Sequence, residues 1–171
     1  MTGRIILLDA TGFTGALVLD AMLRRGLKPV VAGRNRGAMA ALAAQHGGLK
    51  YAVADVGDTA GVRKLVKRGD VLVTTVGPFE RYGHPVAQAA ADAGAHYIDS
   101  TGEVGFVRAL RDGCHARARE TGSVLLPAFG YDYVPGILAG TLAARQGGDA
   151  VRAIDIGYRD SFAVHRRSRR W

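Results

Sequence analysis

Short apolar runs alternate with longer helical stretches from residue 4 to residue 145, and this alternation constrains the fold more than any other feature of the chain. The apolar runs fall at residues 4–8, 29–32, 50–54, 71–75, 97–99 and 124–126. Helical spacing marks residues 13–25, 37–46, 59–67, 85–93 and 104–120 between them, and 134–145 after the last. Gly26, Gly47-Gly48, Gly94 and Gly122 stand where helices should stop, and Asp58 stands where the third should be capped. Strands separated by a helix-length connection pair in parallel, because the chain must cross over to start the next strand in the same direction. The expectation is an α/β fold: a doubly wound sheet of six parallel strands, ordered 3-2-1-4-5-6, with helices on both faces.

The chain has 171 residues, enough for one ordinary domain with its own core. That domain is complete by about residue 146. We read residues 1–146 as a dinucleotide-binding (Rossmann) domain and 147–171 as the start of a second, truncated domain. Residues 151–158 alternate imperfectly, as a first strand of that domain would. The net charge of +8 is concentrated toward the end, in Arg152, Arg159, Arg166, Arg167, Arg169 and Arg170. Such an end can hold nucleic acid or an anionic surface. No recognition motif or aromatic stacking pattern accompanies it, so neither is expected as a partner. From composition, the abrupt basic end reads as a truncated or frame-shifted gene product. The uncharged stretches at 121–131 and 133–144 fall short of the roughly 18 apolar residues of a membrane span. With no signal peptide and a single cysteine, Cys114, the expected setting is cytoplasmic.

The first strand runs into Asp9-Ala10-Thr11-Gly12-Phe13-Thr14-Gly15 and then a helix. Such a turn lets backbone approach a pyrophosphate while the helix N-terminus supplies N–H donors and a positive dipole end. Gly12 is the close-approach residue, and Gly15 permits tight helix-to-strand contact. The usual pattern has glycine at position 9, where this chain has aspartate. At the end of the second strand, a carboxylate would bond the ribose 2′-hydroxyl of NAD. This chain has Ala32-Gly33-Arg34-Asn35-Arg36 instead. A guanidinium there suits a 2′-phosphate, so NADP(H) is the expected cofactor; the plainer reading leaves Arg34 and Arg36 as solvated loop charges. Asp55 ends the third strand, either near the adenine or as a cap for the next helix. Val76-Gly77-Pro78-Phe79 follows the fourth strand, either as a wall for the nicotinamide half or as an ordinary turn.

These residues, with Tyr82-Gly83, the stretch His96-Tyr97-Ile98-Asp99 through Thr101-Gly102-Glu103, and Gly130-Tyr131-Asp132-Tyr133-Val134-Pro135, resemble the NADP-binding domain of saccharopine dehydrogenase-like oxidoreductases. That group includes proteins described as trans-acting enoyl reductases. The resemblance covers residues 3–145 or so. It implies that Thr11, Gly12, Phe13, Thr14 and Gly15 hold the pyrophosphate, Arg34 and Asn35 the 2′-phosphate, and Gly77, Pro78 and Phe79 the nicotinamide half. The chain departs from the family at Asp9, at Asp132-Tyr133 where Asp-Ser is more usual, and after residue 158, where the family's substrate domain would follow.

No catalytic residue is assigned. Asp99 and Glu103 lie on the cofactor edge, where bracing a loop is the simpler role beside a substrate contact. Tyr82 and His84 flank Gly83 near the expected nicotinamide. Cys114-His115 are helix neighbours pointing about 100° apart, which does not suit a nucleophile pair. The five histidines have no metal-ligand spacing. The implied activity is hydride transfer to a small-molecule acceptor of unknown identity, expected only with a complete substrate domain. A homodimer or another chain is one way to complete the site. A non-catalytic NADP-binding module and a non-functional fragment are the alternatives.

Overall fold

The computed structural model describes residues 3–158, so residues 159–171, with most of the arginine-rich end, lie outside the described residues. The chain divides into two compact units, one up to Asp132 and one from Tyr133.

In the first unit the elements alternate as expected. They are β1 (Ile5–Leu8), α1 (Phe13–Arg24), β2 (Val30–Gly33), α2 (Arg36–Gln45), β3 (Tyr51–Val53) and α3 (Thr59–Leu65). Then come β4 (Val71–Thr74), α4 (Phe79–Ala93), β5 (His96–Asp99), α5 (Val104–Thr121) and β6 (Leu125–Leu126). All neighbouring strands are parallel, in the order β3-β2-β1-β4-β5-β6.

Strand periodicity divides the core between the two faces of the sheet. Ile6, Leu8, Ala32, Leu72 and Tyr97 pack with Val62, Leu65, Val86, Phe106 and Leu110 of α3, α4 and α5. Leu7, Val31 and the partly buried Val73 point the other way, to Leu19 and Ala43 of α1 and α2. Each large apolar side chain buried this way contributes about 1.5–3 kcal/mol.

The edge of the sheet where the strands begin is closed by a polar latch. The Asp70 carboxylate accepts hydrogen bonds from the backbone N–H of Arg4 at 2.9 Å and of Lys67 at 2.9 Å, and ion-pairs with the Arg4 guanidinium. Burial pushes this carboxyl up, but the bonds from Arg4 and Lys67 prevail and hold it below the usual carboxylate range.

Two sequence expectations are corrected. Helix α4 starts at Phe79, six residues before Pro85, which lies inside it. The sequence reading put Pro85 at the helix start, where its missing N–H costs nothing. The earlier start is fixed by tertiary contacts instead. Both oxygens of Glu103 accept from the first two N–H groups, Phe79 at 2.8 Å and Glu80 at 2.8 Å. Phe79 also packs on Phe106 with centroids 5.9 Å apart. Gly83 lets the Phe106 ring in; a Cβ there would stand 2.6 Å from it.

The second correction is in the other unit, which comprises α6 (Val134–Gly147), a short 3-10 turn (Gly148–Ala150) and an irregular run to residue 158. Residues 151–158 form no strand. A strand needs a neighbour for its N–H and C=O groups, and none is present in this unit among the described residues. Ile156 and Tyr158 instead lie along the Gly136 and Gly140 face of α6.

Candidate functional site

The strand order reverses between β1 and β4, and ligands of such sheets bind outside the carboxyl ends of the strands at that point. A cleft of about 320 Å³ opens there. Leu8 and Asp9 line it from the end of β1, Gly33 and Arg34 from β2, and Ala54, Asp55 and Val56 from β3. Val76, Gly77 and Tyr82 close its far side.

The turn from β1 to α1 is held from several directions. The Asp9 N–H donates to Ala32 O at 2.9 Å, and its carbonyl accepts from Gly12 N–H at 3.0 Å and from the Thr75 hydroxyl at 3.4 Å. These bonds hold Asp9 at φ 68°, the left-handed region that favours glycine. Gly15 sits against this turn so closely that a Cβ would stand 2.0 Å from the Asp9 carbonyl oxygen. Gly12 caps α1 with extended backbone and no side-chain cap, so the first N–H groups of the helix face outward without a side-chain acceptor.

Arg34 is exposed and makes no ion pair among the described residues. The Asp9 carboxyl is held above its ordinary value by burial, which the charge of Arg34 partly offsets.

Of the residues singled out in the sequence, Arg34, Asp55 and Gly77 meet in this cleft, with Gly12 beside Asp9 at its rim. Thr11, Phe13 and Thr14 are exposed at the mouth of α1, and Gly15 is buried under it. Asn35 uses its side-chain oxygen to cap α2 through Ala38 N–H at 3.0 Å, leaving its NH₂ group to donate. Asp55 accepts from Gly57 N–H at 2.9 Å, while Asp58 caps α3. Pro78 is exposed, following a cis Gly77–Pro78 bond. Phe79 points into the core and its N–H is taken by Glu103, so it offers the cleft neither group.

Val56 and Ala54 are apolar walls that sequence reasoning did not single out. Their signal was their place just past the third strand, beside Asp55. Tyr82 reaches the cleft because α4 starts early enough to carry it there.

The other polar candidates do not line this cleft. Asp99 Oδ1 accepts from Thr101 N–H at 2.9 Å and from Ala128 N–H at 2.9 Å. His84 stacks edge-on against Phe106, centroids 5.0 Å apart. Cys114 is buried against Gln88, and burial pushes its thiol up, away from the reactive thiolate. Among the described residues no group of acidic, histidine or cysteine side chains could hold a metal ion. Nor is any helix there long and apolar enough to cross a membrane.

The donor set suits a phosphorylated dinucleotide. Uncapped helix N–H groups, an unpaired guanidinium at the end of β2 and apolar walls at Ala54 and Val56 stand around one cleft. The carboxylates of Asp9 and Asp55 are of opposite character, and Asp55 is already engaged by Gly57 N–H.

Comparison with known proteins agrees. The model of the saccharopine dehydrogenase NADP binding domain family matches residues 5–124. Trans-acting enoyl reductases of Mycobacterium ulcerans and Mycobacterium tuberculosis H37Rv are 36% and 35% identical to the chain over 137 residues. The matched segment is 77% of this chain and 33% of each relative, so it spans about a third of their length. Among solved structures, the apo saccharopine dehydrogenase (L-Glu forming) of Saccharomyces cerevisiae superposes with a TM-score of 0.68 at 21% identity. That match covers 84% of this chain and 31% of the yeast enzyme. A Citrobacter sp. triphenylmethane reductase complexed with NADP(H) gives 0.53 at 19% identity, over 82% of this chain and 55% of that one. At these identities the two structures speak for the fold.

Proposed function

This chain belongs to the saccharopine dehydrogenase NADP-binding domain family, and from that premise we propose that the cleft at the ends of β1, β2 and β4 is where it holds NADP(H). The observation that carries the assignment is the exposed Arg34 at the end of β2, which makes no ion pair among the described residues and stands where an NAD-binding chain has a carboxylate. In this reading the first N–H groups of α1, at Phe13, Thr14 and Gly15, bind the pyrophosphate, with Gly12 allowing close approach and Thr11 at the rim. Arg34 binds the 2′-phosphate through forked, charge-assisted hydrogen bonds, with the Asn35 NH₂ group beside it. Ala54 and Val56 flank the adenine, with Asp55 near its edge. Gly77 and Pro78 shape the nicotinamide end by backbone alone, and Phe79 serves by anchoring that turn in the core.

Bound NADPH would supply a hydride to an acceptor. The protein's share is to orient the ring and keep water from it. The described residues form one wall of such a site. A small-molecule acceptor would need a second wall, supplied by further protein, a second copy of the chain or another subunit. We place residues 1–146 in the cofactor domain and the chain from 147 in the next, and the setting as cytoplasmic.

Fluorescence titration tests the cofactor assignment. NADPH should bind more tightly than NADH, and Arg34→Ala should remove most of the difference, on the order of 1.5–3 kcal/mol. Equal affinities for the two cofactors in the unmodified chain would overturn it.

A further inference from the structure

Asp9 occupies an unusual position. Its side chain lies over Gly12, so closely that a Cβ on that glycine would stand 2.4 Å from Asp9 Oδ2. The carboxylate therefore sits at the mouth of α1, beside the N–H groups assigned to the pyrophosphate. It is half-buried and takes part in no side-chain hydrogen bond or ion pair among the described residues. The backbone at φ 68° is pinned by Ala32, Gly12 and Thr75, so the residue cannot leave the cleft by moving its main chain. The other charged or titratable groups facing the cleft are Arg34, Asp55 and Tyr82. Asp55 is already engaged with Gly57 N–H, and Arg34 is the group whose charge favours ionised Asp9.

Two changes follow when a 2′-phosphorylated dinucleotide enters. The pyrophosphate brings negative charge beside the carboxylate, and the 2′-phosphate draws the guanidinium of Arg34 toward itself. Both disfavour the ionised carboxyl. Rotation of the side chain would relieve the first and leave the second.

We propose that Asp9 couples dinucleotide binding to proton uptake: the carboxyl takes a proton from solvent as the pyrophosphate arrives, and its O–H then donates to a phosphate oxygen. A carboxylate that repels the ligand becomes a donor that holds it. Binding is accordingly weaker at high pH and tightens as pH falls. The inference rests on the cofactor assignment of this cleft, and burial, which already holds the free carboxyl above its ordinary value, works in the same direction.

The test is calorimetric titration of the unmodified chain, Asp9→Asn and Asp9→Gly with NADP⁺, from pH 5.5 to 8.5, in two buffers of different ionisation heat. The 2′-phosphate of the ligand titrates alike with all three proteins, so differences between them report Asp9. The unmodified chain should take up more protons than either variant. Its Kd should weaken relative to Asp9→Asn by up to about tenfold per pH unit, the limit for one proton. At pH 8 both variants should bind at least about tenfold tighter, and the gap should close toward pH 5.5. Asn, which donates an N–H in place of the O–H, should bind more tightly than Gly. Parallel pH profiles for the unmodified chain and Asp9→Asn, with equal proton uptake, would overturn the coupling and leave the cofactor site standing. Failure of all three proteins to bind NADP⁺ at any pH would overturn both.

Discussion

Asp9 and Glu103 are both acidic residues at strand-to-helix turns on the carboxyl edge of one sheet, and they have opposite fates. Glu103 is consumed: each of its oxygens accepts an N–H at the start of α4. Asp99, at the start of the same loop, accepts from both Thr101 and Ala128 N–H through Oδ1, while its buried Oδ2 has no hydrogen-bond partner among the described residues. The Asp9 carboxylate accepts no hydrogen bond from any described neighbour, and the residue lines the cleft. A carboxylate whose acceptor positions are filled by backbone N–H groups holds a loop. One left without partners beside uncapped helix N–H groups competes for, or responds to, a ligand. Position along the sheet edge does not separate the two cases; the inventory of hydrogen bonds does.

The largest effect expected on stability is at Asp99. Asp99→Ala leaves the N–H groups of Thr101 and Ala128 without their acceptor in a buried loop and should cost about 3 kcal/mol in urea unfolding. Glu103→Ala should cost somewhat less, about 2 kcal/mol, because the uncapped start of α4 can recruit water. Asp9→Gly should run the other way, between no change and a gain of about 1 kcal/mol, because glycine adopts the left-handed backbone without strain. A loss at Asp9 as large as those at Asp99 or Glu103 would erase the distinction. The smallest effect is a dependence on pH. Burial raises the Asp9 carboxyl in the folded chain, so its ionisation opposes folding. Asp9→Asn should therefore match the unmodified chain below pH 3.8 and become the more stable of the two as pH rises through the raised value.

The topology of the first unit was legible from residue spacing because it depends on local signals. Six apolar runs with helical connections leave few arrangements besides a parallel doubly wound sheet, and Arg34 declared itself by standing where an acid would otherwise be. What could not be read depends on contacts distant in sequence. The start of α4 is set by Glu103 and Phe106, more than twenty residues away, and those contacts override the signal of Pro85. The same contacts turn Phe79 inward and carry Tyr82 to the cleft. The left-handed backbone of Asp9 is imposed by Ala32 and Thr75 on two neighbouring strands' ends, which the glycine pattern alone does not reveal. Residues 151–158 alternate as a strand would, yet pairing depends on a partner that the local pattern cannot supply.

The central claim is that one cleft, at the ends of β1, β2 and β4, receives the dinucleotide. Backbone amide NMR of the unmodified chain titrated with NADP⁺ at pH 6 tests it most directly. The account predicts the largest shifts at Gly12 to Gly15, Arg34, Asp55 to Gly57 and Gly77, with α5 and β6 unmoved. Shifts concentrated on the apolar groove that Val107, Leu110 and Val124 line between α5 and β6, with the amides of Gly12 to Gly15 and Arg34 unchanged, would contradict it.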